Sequence, residues 1–142
     1  MREGPWQLVY LYVGSDDIGR DLAFYELALG ATLVWRFDAF DTEVAAVRVG
    51  DGPLVLLAEH RVAPSCLPIW AVADLESATE RLASSGFESH GETVGTPDGP
   101  VHVFRDPSGN ELGLLRPDRP GALEHAYADP DNAHAVRSDR DQ

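Results

Sequence analysis

Residues 8–13 read Leu-Val-Tyr-Leu-Tyr-Val, and residues 67–72 read Leu-Pro-Ile-Trp-Ala-Val. Both are short apolar runs with aromatic and β-branched side chains, the pattern of a strand. Helix-start chemistry follows each one: Ser15-Asp16-Asp17 after the first and Asp74 after the second. Apolar residues then recur at helical spacing, at Ile18, Leu22, Tyr25 and Leu29, and again at Leu75, Ala78 and Leu82. Gly30 and Gly86 stand where a left-handed cap would end each helix. With Leu8 matched to Leu67 and Gly30 to Gly86, the second half is a few residues shorter.

Working outward, three strands are expected after each helix. In the first half they are 32–37, 44–49 and 54–58, the last two joined by the hairpin turn Gly50-Asp51-Gly52-Pro53. In the second half they are 87–92, 101–104 and 111–115. Their turns, Thr96-Pro97-Asp98-Gly99 and Asp106-Pro107-Ser108-Gly109, each carry Pro second and Gly fourth, as a type I turn favours. The order is therefore β-α-β-β-β twice over, an α+β chain of two fused modules at 1–62 and 63–117. Beyond Pro117 the periodicity stops. Residues 118–142 read as an acidic C-terminal tail, with a short helix expected over 121–128 and a solvated segment after it.

The chain has 142 residues, 44% of them apolar, enough for one globular domain and not for two independent ones. Its formal charge is −13, and all eleven basic residues are Arg. That balance argues against a nucleic-acid partner and against an anionic membrane surface, and it leaves room for a cationic ligand. Much of the acidity sits in turns and helix starts, at Asp16, Asp17, Asp51, Asp74 and Asp98, where backbone capping accounts for it. Cys66 is the single cysteine, so no intrachain disulfide and no thiolate metal cluster is expected. The first residues do not read as a signal peptide and no apolar run is long enough to span a bilayer, so a cytoplasmic protein is expected.

Leu11-Tyr12-Val13, Ala23-Phe24-Tyr25 and Leu29-Gly30 in the first half, with Val72-Ala73-Asp74-Leu75 and Phe104-Arg105-Asp106-Pro107-Ser108-Gly109-Asn110 in the second, carry a likeness. Over about residues 6–117 the chain resembles the vicinal-oxygen-chelate superfamily of glyoxalases, bleomycin-resistance proteins and extradiol dioxygenases. The resemblance implies a curled mixed sheet around a cavity, helices on the outer face, and a homodimer. It does not by itself select an activity.

Metalloenzymes of that superfamily hold a divalent ion through ligands on the first and last strands of each module. Carried over residue by residue, those positions fall on Leu8, Leu67 and Gly113, with the remaining one near Val55. None offers a nitrogen or oxygen side-chain donor, which a divalent metal requires. No metal and no other cofactor is therefore expected. The character is closest to the metal-free bleomycin-resistance branch, which sequesters its ligand.

Strand alternation suggests what faces the cavity. If Val13 faces the helix, then Tyr10 and Tyr12 face the other way, joined by Ile69 of the second module. The second strand contributes either Trp35 with Phe37 or Arg36 with Val34, the aromatic pair being favoured, and on the third strand Val44, Ala46 and Arg48 share one face. Tyr10, Tyr12, Trp35, Arg48, Ile69 and Glu111 are the ligand-binding candidates, an aromatic lining that suits a ring-bearing or cationic organic ligand. The same aromatics could instead fill the core or a dimer interface. Glu111 and His102 are the catalytic candidates. Glu111 is read either as a rim carboxylate or as an acid/base group, and His102 either as a packed side chain or as a catalytic one. His60, His125 and His134 lie in loop or tail contexts, and His90 has no evident partner.

Three functions stay open at this level. One is a metal-free protein that binds a small aromatic or cationic molecule. The second is an enzyme of the same superfamily, a lyase, an isomerase or dioxygenase-like, with a displaced or non-standard site. The third is an interaction or structural module. A standard metal-dependent glyoxalase or dioxygenase is not expected.

Overall fold

The computed structural model describes residues 6–39 and 41–137; Met1–Pro5, Phe40 and Ser138–Gln142, with the sequence reading of the chain start, lie outside the described residues. The elements run β1 (Gln7–Gly14), α1 (Ile18–Leu29), β2 (Thr32–Ala39), β3 (Thr42–Arg48), β4 (Leu54–Ala58), β5 (Cys66–Ala71), α2 (Leu75–Ser84), β6 (Glu88–Gly95), β7 (Pro100–Arg105), β8 (Glu111–Leu115) and α3 (Ala122–Ala128). The chain is α+β, and its first ten elements follow the β-α-β-β-β repeat read from the sequence. The strand pairing is mixed: β5 and β8 run parallel, while β2 with β3, β3 with β4, β6 with β7 and β7 with β8 run antiparallel.

Two compact units are formed, and the division falls inside β1. Unit 1 takes the described chain up to Tyr10 together with Leu67–Ala122, and unit 2 takes Leu11–Cys66 together with the described chain from Leu123 onward. Strand order in unit 2 is β2-β3-β4-β1, and in unit 1 it is β1-β5-β8-β7-β6.

In unit 2, α1 begins on Asp17, whose carboxylate accepts the Arg20 backbone N–H at 3.0 Å. It ends on Gly30 at φ 66°, the left-handed conformation that a glycine adopts without a Cβ clash. Ile18 and Leu22 of α1 pack on Ala45, Val47 and Leu57, with Val13, Tyr25, Leu33 and Val55 at the margin. Burying such side chains contributes about 1.5–3 kcal/mol each for the large aliphatic ones. Val13 thus faces the helix, as alternation requires, and Tyr12 faces away.

A register shift between Leu33 and Trp35 matters for the opposite face. Leu33 pairs with Val47 on the α1 side, but Trp35 pairs with Ala46 and Phe37 with Val44. The bulge turns both aromatics away from α1.

In unit 1, Asp74 caps α2 by accepting the Ser77 N–H at 3.0 Å. Leu75, Ala78 and Leu82 pack on Val72, Phe104 and Leu114, with Trp6, Trp70 and Leu112 at the edge of the cluster. The face turned away from α2 therefore carries Ile69, Val101, Val103, Arg105, Glu111 and Gly113. Asp106 builds its turn as the sequence suggests, accepting the N–H groups of Ser108 and Asn110 at 2.9 Å each.

After α3, residues expected to be solvated instead pack along β2. The Val136 N–H donates to Arg36 O and the Asp38 N–H donates to His134 O, each at 2.8 Å. The edge of β2 offers unpaired backbone groups, and this segment satisfies some of them. Among the described residues no helix is long and apolar enough to cross a membrane.

Candidate functional site

In unit 1 the turn Thr96–Gly99 positions an acidic side chain. The Gly99 N–H closes the turn on Thr96 O at 3.1 Å. Arg119 clamps it from outside, donating to Pro97 O at 2.7 Å and Thr96 O at 3.0 Å. Gly99 has φ 146°, and a Cβ there would lie 2.0 Å from Arg116 O, so only glycine lets the turn come this close. Asp98 is consequently buried, at 7% exposure. Its Oδ2 accepts the Tyr10 hydroxyl at 2.6 Å. Turn chemistry alone accounts for Asp98 in the sequence; packing of the turn on residues 116–119 makes it a buried carboxyl group beside a ligand-binding candidate.

Glu111 lies on the face of unit 1 turned away from α2, half-buried. Its Oε2 is 3.5 Å from His90 Nε2 and 3.5 Å from Arg105 Nη2, and Arg105 Nη2 is 3.4 Å from the same His90 nitrogen. A carboxylate, an imidazole and a guanidinium thus meet at one point, from β8, β6 and β7. Glu111 was a sequence candidate. His90, which had no evident partner, and Arg105 are brought to it by strand register alone.

His102 takes the other face. Its ring packs against Phe104 of the α2 cluster, with centroids 4.9 Å apart, and its two nitrogens meet Ser89 Oγ at 2.5 Å and Thr93 Oγ1 at 2.9 Å. It therefore does not join Glu111.

Gly113 stands where the resemblance implies a metal ligand. A Cβ on Gly113 would stand 3.2 Å from Ile69 Cγ1 and 3.5 Å from Val101 Cγ1. The space a ligating side chain would need is filled by two aliphatic ones. Leu67 is buried, and Val55 packs toward the α1 cluster. These residues do not fit a divalent metal. Among the described residues no group of three or more His, Cys, Asp or Glu is placed to hold one.

In unit 2, Tyr12 meets His60: the phenol oxygen is 2.9 Å from Nε2, and Nδ1 is 3.4 Å from Thr42 Oγ1. Arg61 lies over the Tyr12 ring, 5.6 Å from its centroid. Burial raises the Tyr12 pKa, with Arg61 opposing, while burial and then Arg61 lower that of His60. Both shifts favour the neutral forms, between which a phenol–imidazole hydrogen bond can form. In the sequence His60 lies in a loop context, and nothing in its spacing from Tyr12 announces the contact.

Trp35 is only 2% exposed, and its indole N–H donates to Glu124 Oε1 of α3 at 3.2 Å. Phe37 touches it at 5.5 Å between centroids. Arg48 is exposed and donates to Gly52 O in the β3–β4 hairpin at 3.3 Å, while Arg36 pairs with Glu43. Ile69 is buried in unit 1 over Gly113.

Residues 7–114 match the family described as the Glyoxalase/Bleomycin resistance protein/Dioxygenase superfamily. The sequence matches no curated protein. Among solved structures the chain is similar to the hypothetical protein BH1468 from Bacillus halodurans C-125, with TM-score 0.70 and 15% identity over 82% of this chain and 97% of that one. It is similar to methylmalonyl-CoA epimerase from Mycobacterium tuberculosis, with TM-score 0.65 and 19% identity over 80% and 89%. A superfamily member from Vibrio splendidus 12B01 gives TM-score 0.56 and 18% identity over 79% and 99%. At these identities the structural likeness speaks for the fold, and the family match covers most of the chain. The chain belongs to the glyoxalase/bleomycin resistance protein/dioxygenase superfamily.

Proposed function

We propose that the chain is a metal-free small-molecule-binding protein of this superfamily that sequesters an aromatic or cationic organic ligand, as a bleomycin-resistance type of antibiotic-resistance protein would. The observation that carries the reading is Gly113 beneath Ile69 and Val101: apolar contact fills the position from which a metal would be held. Unit 1 also carries the Tyr10 ring with Asp98 on its hydroxyl, and Glu111 beside Arg105 and His90; an aromatic face and carboxylates are the groups that attract a cation. In unit 2, Tyr12 supplies a partly buried aromatic ring, and Trp35 lies beneath α3. The same reading makes the chain a cytoplasmic homodimer with no nucleic-acid or membrane partner and no cofactor.

The test is a titration of the purified chain with ethidium, a cationic aromatic compound, followed by tryptophan fluorescence. Saturable binding weakened several-fold by Tyr10→Ala and by Glu111→Gln supports the reading. One tightly bound divalent metal per purified chain, or no binding by ethidium and other cationic aromatics, would overturn it.

A second reading is favoured by the meeting of Glu111, His90 and Arg105. A carboxylate beside an imidazole can move a proton, and a guanidinium can hold an anionic group. That reading makes the chain an enzyme, a lyase or isomerase, with a site displaced from the metal position. Turnover lost in Glu111→Gln with folding intact would select it.

A further inference from the structure

The family match ends at residue 114, and the described residues from Leu123 on pack back onto unit 2. They do so on the face turned away from α1, where the bulge places Trp35 and Phe37. Glu124 accepts the Trp35 indole N–H at 3.2 Å, and the Tyr127 ring meets Phe37 edge-on with centroids 5.7 Å apart. Beyond α3 the chain turns and ties itself down. The Tyr127 hydroxyl donates to Val136 O at 2.8 Å. Arg137 lies over the Tyr127 ring at 4.7 Å and donates to Tyr127 O and Asp129 O. Ala135 forms an antiparallel bridge with Phe37, flanked by the two backbone bonds to Arg36 and Asp38.

This cover is shallow. None of the residues of α3 is buried, so little apolar area holds the helix in place. Among the described residues it is held by the indole–carboxylate bond, the edge-to-face ring pair, the backbone bonds at the sheet edge and a bond between His134 Nδ1 and Asp38 O at 3.0 Å. Segments of this kind open at free energies well below that of global unfolding. Beneath it, Trp35 is almost fully shielded.

We propose that residues 123–137 form an intramolecular strap that occupies the aromatic face of unit 2 and competes with an aromatic ligand for Trp35 and Phe37. The proposal rests on the reading of Trp35 as part of a ligand face. The strap-closed state is then binding-incompetent at that face, and apparent affinity is reduced by the fraction of molecules that are open. Loosening the strap raises affinity without adding any contact.

The experiment uses the full chain with Trp35 as its only tryptophan (Trp6→Phe, Trp70→Phe), acrylamide as quencher and Nile red as a neutral aromatic probe. Arg137→Ala and Tyr127→Phe each remove a tie of the strap without touching Trp35. Each is expected to raise acrylamide quenching of Trp35 about twofold or more and Nile red affinity on the order of three- to tenfold. A second measurement needs no substitution: amide exchange at Asp38 and Val136 should quicken when the unaltered chain is saturated with Nile red. Unchanged quenching in both variants overturns the proposal, as does raised quenching with unchanged dye affinity. Exchange at the two amides that is unaltered by bound dye also overturns it. Ethidium binding that depends on Tyr10 and Glu111, together with Nile red affinity unchanged in the strap variants, sinks the strap and leaves the binding reading standing.

Discussion

The Tyr10 hydroxyl donates to Asp98 Oδ2 across 2.6 Å, joining residues 88 positions apart. The acceptor is a buried carboxylate, held in place by a turn that Arg119 clamps and that only Gly99 allows to pack so closely. Leaving a buried hydrogen-bonding group without its partner costs about 1–3 kcal/mol. Tyr10→Phe, which keeps the ring and removes the donor, should lower stability by about that amount in urea unfolding monitored by circular dichroism.

Gly113 makes a second, opposite test. Gly113→Ala brings a methyl to 3.2 Å from Ile69, so Ile69 must yield by a few tenths of an ångström. Gly113→Glu asks for far more room, and overpacking costs about 1–3 kcal/mol. The Glu variant should melt lower than the parent chain, and excess manganese or zinc should not raise its Tm. A metal-dependent rise would mean that Ile69 and Val101 can move aside and that the position retains its ligating geometry.

The pH dependence of unit 2 follows from His60 and Tyr12. His60 is shifted below the ordinary imidazole value of 6.5, so the unfolded chain binds the proton more readily than the folded one. Its contribution is full above that value and is lost as pH falls through the interval below it. Tyr12 is shifted above the ordinary 10.0, so its contribution is full below that value and is lost as pH rises through the folded value. Melting curves from pH 5 to 8 should therefore show a downward acid limb that is shallower in His60→Gln.

The helix caps give a plain energetic check. Asp17 and Asp74 each accept a backbone N–H three residues on, at 3.0 Å. Asp17→Ala and Asp74→Ala should each cost about 1 kcal/mol, roughly additively because they serve different helices. Chemical denaturation of the single and double variants measures this.

Element order was legible because helix and strand periods differ and the turn residues are strict: Gly30 caps α1 with φ 66°, and Asp106 accepts the backbone bonds of its turn. The α1 side of β1 was legible too, since alternation puts Val13 on the helix and Tyr12 opposite. Alternation fails across an irregularity. Within β2 it would place Leu33 and Trp35 together, and the bulge between them separates the two. In β6 the pairing of His90 with Val103 brings this histidine to the face that carries Glu111, while alternation on β7 sends His102 to the other face. A sequence carries no mark of how two strands slide past one another.

The repeated strand-and-helix pattern, with its caps and turns, by itself determined the α+β order and the superfamily resemblance, because those features depend on contacts a few residues apart. The donor-free residues Leu8, Val55, Leu67 and Gly113 were equally plain. Tertiary structure alone decided that Glu111 meets His90 and Arg105, that Asp98 is buried under Tyr10, and that α3 covers Trp35. Each of those contacts joins residues far apart in the chain, through register, a bulge or the docking of a terminal segment. Such geometry is set by the packing of whole elements, and no local pattern encodes it.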